Sequence, residues 1–228
     1  TYTVQELTCG SEDIKFDLLR KLGGVEGEDL YQRYENENVN TFSLDVSINS
    51  IVTGSFGFMG TNSPKRLDTD GIKAVYPATF NDTKTTPADF IDNLDKVKAT
   101  STDQYVSTTG NLWINGQNIT WGENLTLEIN NNLQRKNAIF VKKAIATTAD
   151  TLDITGNYQS YVVKGKSEPV YNAAVDNATN EILFVFQDKE ENPETMYLFQ
   201  IFKSSFDAPN SNAGSDVYED TLAWTSFE

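Results

Sequence analysis

Short strands with alternating side chains are the feature that most restricts the fold of this 228-residue chain. Residues 42–60 read FSLDVSINSIVTGSFGFMG, in which apolar and polar residues alternate up to the turn-forming pair Asn49-Ser50. A period of two gives a strand one apolar and one polar face, and the polar pair predicts a hairpin turn. The same alternation recurs in LTLEINNNL, which begins at Leu125. We therefore expect two strands whose polar face is partly acidic.

The C-terminal third of the chain shows a different apolar pattern. Residues 182–186 are apolar at every position, residues 196–202 are nearly so, and the charged segment DKEENP follows the first run. Continuous apolar strands are typical of sheets that are covered on both faces. The pattern predicts a hairpin that needs cover on each side from a helix, a second sheet or a neighbouring subunit.

Two short helices and one long loop are also predicted. Ser11 is a suitable N-cap for a helix that ends at Gly23-Gly24 and carries apolar residues along one stripe. Residues 86–97 begin with the capping pattern TPAD and continue with apolar residues at helical spacing. The remainder of residues 61–110 is rich in Asp, Thr, Ser and Lys, which is typical of a projecting arm.

Composition excludes several classes of protein. The chain has 33 acidic residues, 18 Lys and Arg, no His and one Cys, and a formal charge of −15. Without His there is no Ser-His-Asp triad and no His-containing zinc site, and a lone Cys9 forms no internal disulfide. The excess of acids argues against a protein that holds nucleic acid by its phosphates. No apolar run approaches the roughly 18 residues of a membrane span. No linker divides the chain, so residues 1–228 are expected to form one acidic domain without a cofactor.

One short motif could suggest a metal. Residues 68–71 read DTDG, which superficially matches the start of a calcium-binding loop. Alignment of its glycine places Arg66 and Pro77 where that loop needs its first and last ligands. A solvated turn is therefore the favoured interpretation.

Four motifs together resemble the tail tube proteins of long-tailed bacteriophages. In chain order they are FSLDVSINSIVTGSFGFMG, ITWGENLTLEINNNLQ, ITGNYQSYV and GSDVYEDTLAWTSFE, and they extend over most of residues 30–228. The most specific piece is SIVTGSF at residues 50–56, followed by Met59-Gly60. Proteins of this family have additional sequence before the part that matches residues 2–7. The resemblance therefore implies that a chain starting at Thr1 is a processed, truncated or short form.

The resemblance implies a mainly β subunit, a β-sandwich or barrel-like tail tube fold with one or two short flanking helices and a long inserted loop. It also implies a non-enzymatic virion protein. Six copies form a ring in which strands from each copy join one inner barrel, and the rings stack into a tube through which double-stranded DNA passes during ejection. The implied partners are other copies, the tape-measure protein, and the tail-tip and tail-terminator proteins, in a tail that is assembled in the host cytoplasm.

The polar strand faces would then line the lumen, and the arm at residues 61–110 would contact another ring. The candidate lumen residues are Asp45, Ser47, Glu128 and Asn130, and the candidate arm residues are Lys65, Arg66, Asp68 and Asp70.

A function from another class stays open at this point. Trp113 and Trp121, with nearby Tyr side chains, could form the exposed platform of a carbohydrate-binding or adhesin-type β-sandwich. The exposure of these two indoles and the oligomeric state of the protein distinguish the two interpretations.

Overall fold

A computed structural model describes residues 14–22, 30–62, 64–68, 71, 110–187, 196–213 and 218–226. Within these ranges the chain forms fourteen strands and one helix, so the predicted mainly β fold is confirmed. The strands are β1 (Phe16–Leu22), β2 (Leu30–Ser47), β3 (Thr53–Gly60), β4 (Lys65–Asp68), β5 (Asn111–Ile114), β6 (Gln117–Ile119), β7 (Gly122–Asn130), β8 (Gln134–Lys136), β9 (Ala146–Thr148), β10 (Asp153–Tyr161), β11 (Asn180–Gln187), β12 (Met196–Phe206), β13 (Asn210–Ala213) and β14 (Tyr218–Ser226), and the helix is α1 (Glu168–Val175).

The chain divides into two compact units. Unit 1 contains Thr1–Asn38, Phe58–Val97 and Gln134–Thr148. Unit 2 contains Val39–Gly57, Lys98–Leu133 and Ala149–Glu228. Strands β2 and β3 supply residues to both units.

Unit 2 is built on one antiparallel sheet with the strand order β2, β7, β10, β14, β12, β11, β5 and β6. Strand β3 pairs with β2, and β13 pairs with β14. The predicted hairpin at residues 42–60 is confirmed, because β2 ends at Ser47 and β3 returns from Thr53. Asn49 has a positive φ of 53°, and the Ser50 hydroxyl donates to the carbonyl oxygen of Ser47 at 2.7 Å. The turn thus uses the side chains that its sequence suggested.

The apolar faces of distant strands in unit 2 meet around a cluster of aromatic rings. Phe42 of β2 stacks on Phe199 of β12 with ring centroids 6.3 Å apart, although three strands separate β2 from β12 in the sheet. Phe199 also stacks on Phe184 of β11 at 4.9 Å. The sheet of unit 2 therefore curves over its own core, as in a sandwich or barrel.

Gly156 allows β10 to pack closely against the side chain of Trp224 from the neighbouring strand β14. Gly156 of β10 lies between Leu127 of β7 and Trp224 of β14 in the strand register. A Cβ at this position would overlap with the carbonyl oxygen of Thr126 and with the indole of Trp224. The indole is 1% exposed, so it fills the space that a side chain at residue 156 would need.

The prediction of a helix after Ser11 is wrong for residues 14–22, the part of that segment that the structure describes. Residues 16–22 form β1, which pairs antiparallel with β2, for example Leu19 with Arg33 and Arg20 with Gln32. Arg33 also forms an ion pair with Asp17 at 2.6 Å. These partners are distant in sequence, and pairing with them overrides the local helical pattern.

The C-terminal apolar hairpin is present as β11 and β12, but it buries one face rather than two. Ile182, Phe184 and Phe186 are buried, whereas Leu198 is exposed and Phe202 is 70% exposed. Within one subunit, cover is therefore present on one face, and cover of the other face by a neighbouring subunit stays a prediction.

The single described helix, α1, was not predicted. It begins after Ser167 with Glu168 and a proline, and its buried residues are Val170 and Ala174. Glu168 accepts a hydrogen bond from the backbone N–H of Gly165 at 2.8 Å, and backbone donors of this kind hold the pKa of Glu168 below its ordinary value. The helix predicted at residues 86–97 lies outside the described residues. Nowhere in the part of the chain that is described is a helix long and apolar enough to cross a bilayer.

Replacement of Gly156 by Ala should destabilise the protein by about 1–3 kcal/mol, because the added methyl group overpacks the strand junction. The free energy of unfolding from urea titration measures the effect. Asn157→Ala is the matched control, since Asn157 is the next residue on β10 and is exposed. The control should change the free energy by no more than about 0.5 kcal/mol. Equal stabilities for Gly156→Ala and the wild type would contradict the assigned packing.

A polar sheet face as the candidate functional site

On β7, β10, β14 and the unit 2 part of β2, the side of the sheet that faces away from the core carries mostly small polar and acidic side chains. It is called the polar face below. The period of two places every second residue of a strand on this side. Its members are Thr41, Ser43, Asp45 and Ser47 on β2, Asn124, Thr126, Glu128 and Asn130 on β7, Asp153, Thr155, Asn157 and Gln159 on β10, and Glu219, Thr221, Ala223 and Thr225 on β14.

The four candidate lumen residues lie on this face. Asp45 and Glu128 are exposed, and Ser47 and Asn130 are partly buried. The Ser47 hydroxyl donates to Asp45 Oδ1 at 2.8 Å, and Asn124 Nδ2 donates to Ser47 Oγ at 2.9 Å. The first bond lies within β2, and the second joins β2 to β7 on the solvent side of the sheet. Whether this side faces a lumen stays a prediction.

Hydrogen bonds between side chains continue across the polar face. The hydroxyls of Ser43 and Ser55 lie 2.7 Å apart, which links β2 to β3. Gln159 Nε2 donates to Glu219 Oε2 at 3.0 Å, which links β10 to β14. Short polar side chains bonded in this way present donors and acceptors to water without a long flexible group.

The electrostatics of the polar face come from acids alone. Residues 39–47, 122–130, 153–161 and 218–226 contain no Lys or Arg. The acids of the face are Asp45, Glu128, Asp153 and Glu219. In the strand register each is opposite a neutral residue, for example Asp45 opposite Thr126. This spacing avoids direct repulsion between like charges on neighbouring strands.

A β-bulge adds a fifth carboxylate beside the face. Gln159 pairs with Asn124 and Ser160 pairs with Gly122, so Glu123 is an extra residue in β7. The Tyr161 hydroxyl donates to Glu123 Oε1 at 2.8 Å. This hydrogen bond raises the pKa of Tyr161 above its ordinary value, because ionised tyrosine could no longer donate it.

Tyr158, on the core side of β10, is ionisable but enclosed. Its side chain is 1% exposed, and burial raises its pKa to about 12. The cause is the loss of hydration that the phenolate would otherwise have. Tyr158 therefore stays neutral and acts as an apolar core residue at physiological pH.

The described candidate arm residues, Lys65, Arg66 and Asp68, lie in unit 1 rather than on the polar face. Lys65, Arg66 and Asp68 belong to β4, which pairs with residues 30–33 of β2 in unit 1. The segment expected to be loop from residue 61 therefore includes a strand. Lys65 Nζ lies 3.7 Å from Glu35 Oε1, and the Asp68 carboxylate accepts the backbone N–H of Gly71 at 2.6 Å. Asp70 lies outside the described residues.

Sequence reasoning missed part of the polar face. Asp153, Glu219 and the bulged Glu123 were not among the candidates. The signal for the first two was available, because ITGNYQSYV and VYEDTLAWTS also alternate with a period of two. The bulge left no such signal, since it depends on how β7 pairs with β10.

The tryptophans do not form the exposed platform that a carbohydrate-binding module would need. Trp121 is 8% exposed and Trp224 is 1% exposed. Trp113 is partly buried, in the register position opposite Leu183 of β11. The Lys166 ammonium lies 5.6 Å from the ring centre of Trp121, which is a cation–π contact within the protein.

A comparison with protein families matches the chain over residues 6–226 to the family described as phage tail tube protein. The chain belongs to this family. The resemblance inferred from the four motifs is thereby confirmed. A comparison with curated proteins found no match. Family membership makes the chain a structural tail tube protein of the phage virion and favours a structural over an enzymatic role.

The buried Tyr158 of this tail tube protein predicts a loss of stability at high pH. Its pKa is raised from 10.0 to about 12, so below pH 10 it is neutral in both the folded and the unfolded chain. Between these values the unfolded chain loses the proton first, which favours unfolding. At pH 11 the expected cost is about 1.4 kcal/mol. Urea titrations at pH 8 and pH 11 should show a larger fall for the wild type than for Tyr158→Phe. The same fall in both proteins would show that Tyr158 does not cause it.

Proposed function

We propose that this tail tube protein is the subunit of hexameric rings that stack into the tube, and that the polar face lines the channel for DNA. The observation that carries the proposal is the acidic surface formed by residues 39–47 of β2 and by β7, β10 and β14, which contains no Lys or Arg. The tape-measure protein, the tail-tip and tail-terminator proteins and other copies of the chain are the proposed partners. Assembly in the host cytoplasm is part of the same proposal.

A surface of this kind suits rapid passage of a polyanion. DNA phosphates are bound mainly by Lys and Arg, and the residues of the polar face include neither. The acids repel the phosphates, and the Ser, Thr and Asn side chains hold water at the wall. Six copies would carry six times the formal charge of −15, so even a partial share of that charge would make the channel electronegative.

The edge of the unit 2 sheet supports ring formation by strand pairing. Among the described strands, β3 pairs with β2 alone. Thr53, Ser55 and Phe56 on this edge strand are exposed. An edge strand offers unpaired backbone groups to another chain, so a strand of a neighbouring copy could extend the sheet here.

A charge reversal on the polar face tests the channel. Asp45→Lys with Glu128→Lys should allow tubes to form, because both side chains are exposed and surface substitutions usually change stability by no more than about 0.5 kcal/mol. DNA release from phage carrying this double variant should be slow, because lysines in every ring would bind passing phosphates. The delay should shorten as salt rises from about 50 to 200 mM. Dye fluorescence after receptor-triggered ejection measures the rate.

The neutral pair Asp45→Asn with Glu128→Gln is the matched control, since it removes the acids without adding bases. It should eject DNA at nearly the wild-type rate. Electron microscopy of both variants confirms that tubes are present. Wild-type release from the lysine variant, in intact tails, would rule out the assignment of this face to the channel.

A further inference from the structure

The loop between β8 and β9 exposes an unusual run of apolar side chains in unit 1. This segment, residues 137–145, is called the β8–β9 tip. Ile139 is 80% exposed, Phe140 is fully exposed, and Val141 and Ile145 are also exposed. Contiguous exposed apolar groups of this kind mark interaction sites, because water contact with them is unfavourable.

The tip has a defined backbone. The backbone N–H of Ile145 donates to the carbonyl oxygen of Lys136 at 2.8 Å. The backbone N–H of Ala144 donates to the carbonyl oxygen of Thr61 at 3.2 Å. At the base of the hairpin, the Thr147 hydroxyl donates to Asn38 Oδ1 at 2.9 Å. The apolar side chains are therefore presented by a hydrogen-bonded hairpin.

The tip also differs in charge from the rest of the chain. Residues 134–148 contain four bases and no acid. The remaining residues contain 14 bases and 33 acids. The bases of the segment are Arg135, Lys136, Lys142 and Lys143. A cationic, apolar segment in an acidic protein is complementary to the surface of a second copy of the same protein.

Unit 2 has an apolar groove with the matching properties. It is called the β2–β7 groove, and its volume is about 220 Å³. Pockets for small-molecule ligands are usually about 300–1,000 Å³, so this groove suits an inserted side chain better. Among the described residues that line it, Glu123 is the one that is charged, and the lining also includes Ile48, Leu112, Tyr158 and Phe186.

The carboxylate of Glu123 is incompletely bonded in the subunit. One oxygen accepts the Tyr161 hydroxyl, while the other is buried and has no hydrogen-bond partner in the described part of the chain. A buried carboxylate oxygen without a partner is unfavourable. An ammonium group placed at the groove would be attracted by the negative charge of this carboxylate.

We propose that the β8–β9 tip of one copy docks in the β2–β7 groove of a second copy. Phe140 enters the groove, and Lys142 and Lys143 lie toward the carboxylate of Glu123. The inference rests on the proposed stacking of copies into a tube and names two surfaces that meet in it. A second copy is the favoured occupant because one chain carries both the apolar cationic tip and an apolar groove in which the charged lining residue that the structure describes, Glu123, is acidic.

Disulfide trapping between two differently labelled chains tests the contact. Both chains carry Cys9→Ser, so that each has only its introduced thiol. One chain carries Phe140→Cys and the other carries Ile48→Cys, which lies at the groove and is 46% exposed. Assembled mixtures treated with a mild oxidant should give a cross-linked dimer that contains one chain of each kind. Ile139→Cys with Ile51→Cys provides a second pair should either of the first variants fail to fold.

The matched control replaces Ile48→Cys by Val175→Cys, an exposed position on α1 outside the groove. Cross-linking above the control level supports the proposal. If tubes form but this cross-link does not, the docking contact is overturned and the proposed tube function is left intact. Failure of wild-type protein to form any ring or tube at high concentration would instead overturn the proposed function.

Removal of the apolar group provides an independent readout. Phe140→Ser should raise the protein concentration needed for tube growth by about tenfold or more, since a buried aromatic side chain would be lost from each contact. The folded subunit should keep its urea midpoint, because Phe140 is fully exposed in it. An unchanged concentration threshold would overturn the proposal, as would binding of the tip to anionic vesicles with no effect on tube growth.

Discussion

The register between β2, β7, β10 and β14 is the constraint on which the rest of unit 2 depends. Leu44, Leu127, Gly156 and Trp224 form one row across these strands, and the adjacent row of Ser43, Glu128, Thr155 and Thr225 lies on the opposite side. Because side chains alternate, a slip of one residue would bury Glu128 and expose Leu127. Burial of an unpaired carboxylate is strongly unfavourable. The core and the polar face are therefore specified together, and neither can change without the other.

Charge is unevenly distributed along this chain, and the distribution agrees with the proposed assembly into a tube. The central strands hold acids at positions opposite neutral residues, which keeps the polar face negative without close repulsion. The β8–β9 tip collects bases beside exposed apolar groups. The proposed channel wall and the proposed docking tip have opposite electrostatic requirements. In this sequence, acids and bases are placed on separate segments accordingly.

Alternation along single strands allowed much of the fold and two of the four acids of the polar face to be predicted. Asp45 and Glu128 were placed on a polar face because the period of two is local and visible in the residues around them. The prediction for the N-terminal segment was wrong because its structure depends on residues that are distant in sequence. Its local pattern favours a helix, but Leu19 and Arg20 pair with β2, and that pairing is not visible in the segment itself. Helix α1 has a start signal in the sequence at Ser167, Glu168 and Pro169.

By itself, the sequence determined the mainly β class, the hairpin at residues 42–60, the acidic character of the chain and, through its motifs, the tail tube family. These properties follow from local spacing and from composition. Only the tertiary structure decided which strands are neighbours, that Glu123 is the extra residue of a bulge, and that the C-terminal hairpin leaves Phe202 exposed. Each of these depends on pairing between residues far apart in the chain, where the stabilising contacts form only after the backbone has closed long loops.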